Sequence, residues 1–135
     1  MIAVDTNILV YSILEDSPWH KAALRCVRGL AEGSSVWAIA WPCIHKFIAV
    51  VTHPRIYKPP TPLQDAVLQV DHWMESPDLR LLGEGPGCWD HLREVLATGK
   101  AMGPIVHDGR VMAYWNSGLP IATTRASREF AHEIL

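Results

Sequence analysis

Along the 135-residue chain, short apolar runs alternate with longer stretches in which apolar side chains recur every three or four positions. Ile2-Ala3-Val4 reads as a buried strand. Asp5-Thr6-Asn7 then supplies capping side chains for a helix that continues through Ile8-Leu9-Val10-Tyr11. A second helix is predicted from Ser17-Pro18 through Leu30, with Ala23, Leu24, Val27 and Leu30 on one face and Gly33 as its stop. Val36-Trp37-Ala38-Ile39 is the next predicted strand. Pro42 suits the first turn of a helix running to about Val51, because an amide proton is dispensable there.

From His53-Pro54 to Pro59-Pro60-Thr61-Pro62 the prolines predict a rigid loop. Ala66, Val67, Val70, Trp73 and Met74 follow at helical spacing, and Ser76-Pro77 ends that helix. Leu79-Arg80-Leu81-Leu82 is short enough for a strand, and Pro86 opens a helix carrying Trp89, Leu92, Val95 and Leu96, stopped at Gly99. Gly103-Pro104 precedes a helix from about His107 to Asn116, Leu119-Pro120-Ile121-Ala122 reads as a last strand, and a short helix follows. Strands alternating with helices predict an α/β fold, a parallel sheet covered on both faces, in one domain over residues 1–135.

Composition narrows the class of function. An apolar share of 49% excludes a disordered segment, and a net charge of −2 argues against a binder that recognises nucleic acid by bulk charge. The opening apolar run stops at Asp5, short of a signal peptide or a spanning helix, so a cytoplasmic protein without membrane contact is expected. Three cysteines (Cys26, Cys43 and Cys88) without CxxC spacing favour reduced, buried thiols over a disulfide framework. Six tryptophans and ten prolines are read as packing and turn material. No GxGxxG or GxxxxGK[ST] loop is present, which disfavours a general nucleotide-binding domain.

Ligands of an open parallel sheet bind outside the carboxyl ends of its strands, which is where Asp5 falls. Its carboxylate has two readings, a metal ligand or a plain helix cap. Asp108 opens a later helix after Val106-His107 and has the same ambiguity, since an acid in a first turn also complements the helix dipole. Neither acid decides the matter alone.

The order of the motifs does more. Val4-Asp5-Thr6-Asn7-Ile8-Leu9-Val10-Tyr11, then Trp41-Pro42-Cys43-Ile44-His45-Lys46-Phe47, then Val106-His107-Asp108-Gly109-Arg110 resembles a PIN-domain ribonuclease. More narrowly, the chain is similar to the VapC-type toxins of prokaryotic toxin–antitoxin pairs, and Thr52-His53-Pro54-Arg55-Ile56-Tyr57 strengthens that match. The resemblance covers nearly the whole chain. It implies a three-layer α/β/α sandwich around a central parallel sheet, in which clustered acids bind Mg²⁺ or Mn²⁺ and a metal-activated water attacks an RNA phosphodiester. It also implies a cognate antitoxin as partner and a homodimer. Asp5 and Asp108 match two of the metal-binding, catalytic acids, with Thr6, Asn7 and Thr124 (or Thr123) in support.

Two positions depart from the family pattern. Lys46 stands where a glutamate is usual, and, aligned on Phe130, Ser127 stands where an aspartate is usual. A full set of acids would carry four negative charges; Asp5, Lys46, Asp108 and Ser127 carry about −1. A lysine ammonium ~5 Å from a divalent ion opposes it by roughly 6–7 kcal/mol at an effective dielectric near 20, an upper bound because the stem can swing away. Lys46 therefore marks a degenerate toxin, a variant selected or engineered because the active form harms its host, or a phosphate contact that replaces a metal charge. A weakened nuclease and an inactive module that binds RNA or an antitoxin both follow from these residues. Arg55 and Lys58 flank Tyr57 in the proline loop, and Arg110 and Arg125 fall near the site in register, so these four are the candidate RNA contacts, with solvated charge as the plain alternative.

Overall fold

The computed structural model describes residues 2–83 and 88–99. In chain order the elements are β1 (Ile2–Val4), α1 (Thr6–Ile13), α2 (His20–Glu32), β2 (Trp37–Ala40), α3 (Trp41–Val51), α4 (Leu63–Met74), β3 (Leu79–Leu82) and α5 (Cys88–Gly99). The strands form a parallel sheet in the order β1-β2-β3. Ile2, Ala3 and Val4 pair with Trp37, Ala38 and Ile39, and Trp37 through Ala40 pair with Leu79 through Leu82. The expected α/β, PIN-like fold is what forms. The expected elements beyond Gly99 lie outside the described residues.

Strand β2 shows how the layers work. Alternation puts Trp37 and Ile39 on one face and Ala38 and Ala40 on the other, and all four are buried, with Ala40 the most exposed at 1%. Both faces of the sheet are therefore covered at its centre, as a parallel sheet requires. Parallel crossovers are right-handed, so two successive steps in one direction place their helices on the same face. The packing of α1 on α2, of α1 on α3 and of α3 on α4 fits that geometry.

Local chemistry explains most boundaries. Asp5 is the N-cap of α1, and its side chain accepts from the Thr6 N–H at 2.8 Å. Helix α2 starts later than the Ser17-Pro18 signal, at His20, because the Ser17 hydroxyl and carbonyl accept from the Trp19 and His20 N–H groups and hold a turn first. It also runs past Leu30 to Glu32. Gly33 stops it, but with extended backbone rather than a left-handed turn. A Cβ there would lie 2.6 Å from the Gly29 carbonyl oxygen, so close backbone approach is what demands glycine. Pro42 sits in the first turn of α3 as expected.

The core joins β1, α1, α2, β2, α3 and α4. Phe47 and Trp73 meet edge to face with ring centroids 4.8 Å apart, and both are buried. Trp37 is wholly buried and its indole N–H donates to the Ser76 hydroxyl at 3.0 Å, tying the start of β2 to the end of α4. On α4 the buried stripe is Ala66, Val70 and Trp73. Val67 and Met74 each follow a stripe residue and turn about 100° away, so they are exposed rather than core. The tryptophans divide likewise: Trp37 and Trp73 are buried, Trp19 is half-buried, and Trp41 and Trp89 are exposed.

Candidate active site at the strand ends

Strands β1 and β2 end within one residue of each other, Val4 beside Ile39 with Ala40 beyond it, and a helix follows each, after Asp5 on β1 and at once on β2. Asp5 therefore leaves the sheet at the carboxyl edge of β1, while the first turn of α3 rises from the neighbouring edge. Half-buried Asp5 meets that turn through Cys43, whose Sγ donates to Asp5 Oδ1 at 3.8 Å. The same oxygen accepts the Thr6 N–H. Cys43 is 2% exposed and Thr6 is 4% exposed, so the carboxylate is held from inside the fold. Asn7 follows half-buried on α1.

Burial pushes the Cys43 thiol up to about 11, and the nearby Asp5 carboxylate pushes the same way. Hydrogen bonds from Thr6 and the positive charge of Lys46 act in the opposite direction. Lys46 is thus close enough for its field to reach the Cys43 thiol. It lies on the exposed side of α3, one helical turn beyond Cys43. The structure accordingly gathers Asp5, Thr6, Cys43 and Lys46 at one edge. Cys43 was read from the sequence only as a buried thiol. The signal for its placement was its position three residues before Lys46 on the same helix.

The loop bases stand elsewhere. Each helical pair, α1/α2 and α3/α4, leaves the carboxyl end of one strand and returns to the start of the next. A cleft of about 350 Å³ lies between the α1–α2 turn and the α3–α4 loop, with Tyr11, Glu15 and Asp16 on one side and Tyr57 and Lys58 on the other. Eight-residue α1 is about 12 Å long, and the cleft lined by Lys58 opens at its far end from Asp5. Arg55 is exposed in the same loop, where its N–H donates to His53 Nδ1 at 3.1 Å. Asp108, Arg110, Thr124, Arg125 and Ser127 lie outside the described residues.

The donor chemistry can be tested against a hard divalent ion. A carboxylate at a strand end is a suitable oxygen ligand, whereas a buried, protonated thiol and an ammonium are not. Among the described residues no group of three or more His, Cys, Asp or Glu side chains could hold a metal ion. Asp5 thus fits as an oxygen ligand for such an ion, whereas Cys43 and Lys46 do not. No described helix is long and apolar enough to cross a membrane.

Comparison with known proteins supplies the rest. No protein-family model matches the chain. Ribonuclease VapC48 of Mycobacterium tuberculosis is 29% identical over 109 residues, which cover 81% of this chain and 75% of the relative. Ribonuclease VapC37 of the same organism is 27% identical over 113 residues, covering 84% and 78%. Ribonuclease VapC43, also from Mycobacterium tuberculosis, is 30% identical over 114 residues, again 84% of this chain and 78% of the relative. With that similarity along most of both chains, and with a parallel α/β sheet that ends in Asp5, the chain belongs to the VapC family of PIN-domain ribonucleases.

Proposed function

We propose that this chain is a metal-dependent endoribonuclease of the VapC toxin class whose activity is weakened by Lys46 and Ser127. RNA is its substrate, and its partners are a cognate antitoxin and a second copy of the chain in the cytoplasm. The observation that carries the reading is the placement of Asp5 at the carboxyl edge of β1, held by Thr6 and Cys43, in a chain whose relatives bear the name ribonuclease. Asp5 and Asp108 would hold one Mg²⁺ or Mn²⁺ ion, which when bound supplies Lewis acidity to the scissile phosphate and activates water. Thr6 and Cys43 hold the Asp5 carboxylate in place. Lys46 contributes positive charge where the family carries an acid, which favours phosphate and opposes the cation. Arg55 and Lys58, in the loop between α3 and α4, suit the RNA strand beyond the cleaved bond. Exposed Leu63, Val67, Leu68 and Met74 on α4 support the second copy as a partner.

The test is cleavage of a structured RNA while Mn²⁺ or Mg²⁺ is titrated into the purified protein. Lys46→Glu is expected to raise metal-dependent cleavage, and Lys46→Glu combined with Asp5→Ala to abolish it. Full activity of the parent chain would refute the weakening. The exposed Lys46 cation, one helical turn beyond Cys43, favours one other reading, a catalytically inactive PIN module that binds RNA or an antitoxin. Cleavage absent from Lys46→Glu, with RNA or antitoxin binding retained, would select it.

A further inference from the structure

The cluster of half-buried Asp5 with buried Thr6 and Cys43 joins two elements that sequence alone leaves 38 residues apart. One oxygen of Asp5, Oδ1, takes a hydrogen bond from its own helix, the Thr6 N–H at 2.8 Å, and one from α3, the Cys43 thiol at 3.8 Å. A thiol is a weak donor, but this one is 2% exposed, so no bulk water competes with it. A capping bond from Thr6 alone would fix the carboxylate relative to α1 and leave it indifferent to α3. Groups that orient a metal ligand in this way commonly set its affinity as strongly as some ligands do.

We propose that Cys43 is a positioning residue for the Asp5 carboxylate, fixing its orientation at the carboxyl edge of β1 from α3. The consequence for metal rests on the nuclease reading above; the hydrogen bond does not. Cys43 also stands one turn before Lys46 on α3, and the Lys46 charge reaches its thiol.

Two measurements on the full chain test the proposal and separate its failure from that of the nuclease reading. The first is the infrared S–H stretch of Cys43 in metal-free protein, isolated by subtracting the spectrum of Cys43→Val. It is expected at lower frequency than an unbonded alkanethiol and to move up in Asp5→Ala. A band already at the unbonded position in the parent overturns the proposal, whether or not Asp5→Ala folds. The second is Mn²⁺ affinity by electron paramagnetic resonance, with folding checked by circular dichroism. Cys43→Val should bind about tenfold more weakly, and Cys43→Ser, which keeps a donor, within about threefold of the parent. A purely structural role would instead weaken Ser and Val alike, in step with lost stability, and that result also overturns the proposal. If neither the parent nor Lys46→Glu takes up Mn²⁺, the metal reading fails and the S–H band alone decides the role of Cys43.

Discussion

Reversing the charge at position 46 is the most direct perturbation of this site. A lysine ~5 Å from a divalent ion at an effective dielectric near 20 would oppose it by roughly 6–7 kcal/mol. Lys46 is exposed on α3, so water sets the dielectric and the same separation gives only about 1.7 kcal/mol. Lys46→Glu turns that repulsion into an attraction of like size, a swing of about 3.3 kcal/mol, or about 250-fold in affinity at low salt. At physiological ionic strength a Debye length near 8 Å roughly halves the swing, leaving about 20-fold. The assay is a Mn²⁺ titration of parent and Lys46→Glu at low and physiological salt, followed by isothermal calorimetry. Tighter binding by the variant, with a gain that shrinks as salt rises, is the expected result. An unchanged affinity, or a gain indifferent to salt, would refute the electrostatic account of Lys46.

Three further outcomes follow from the same structure. Asp5→Asn keeps a capping side chain whereas Asp5→Ala does not, so urea unfolding should find the alanine variant less stable by about 1 kcal/mol while both lose metal binding. Ser76→Ala strands the buried Trp37 N–H and should lower stability by about 1–3 kcal/mol in the same assay. Cys43 is held up to about 11 against an ordinary value of 9.0, so the folded state keeps a proton that the unfolded chain loses first. Its contribution to stability is complete below pH 9, declines as pH rises and is gone above about 11; Cys43→Val should flatten that decline in urea midpoints measured from pH 8 to 11.

Much of the fold was legible because periodicity is local. Three strands, the caps and stops at Asp5, Pro42 and Gly33, and the helical spacing of Ala66, Val70 and Trp73 follow from neighbours in sequence. Where α4's stripe was drawn too wide, taking in Val67 and Met74, one residue of helical rotation separates core from solvent, and the partner surface decides which side wins. The reason for Gly33 was likewise hidden: the Gly29 carbonyl that excludes a side chain is known only once the turn is folded.

For the site, the sequence by itself determined which chemistry is on offer. An acid follows the first strand, and the family resemblance sets a lysine and a serine at positions it expects to be acidic, because residue identity and motif order survive without coordinates. Only the tertiary structure decided who meets whom. It brought Cys43 onto Asp5, put Lys46 in reach of that thiol yet in water, and set Lys58 across a cleft from the α1–α2 turn. The physical reason is that charge and hydrogen-bonding capacity belong to single residues. Dielectric and distance belong to the packed sheet ends, where parallel strands far apart in sequence finish side by side.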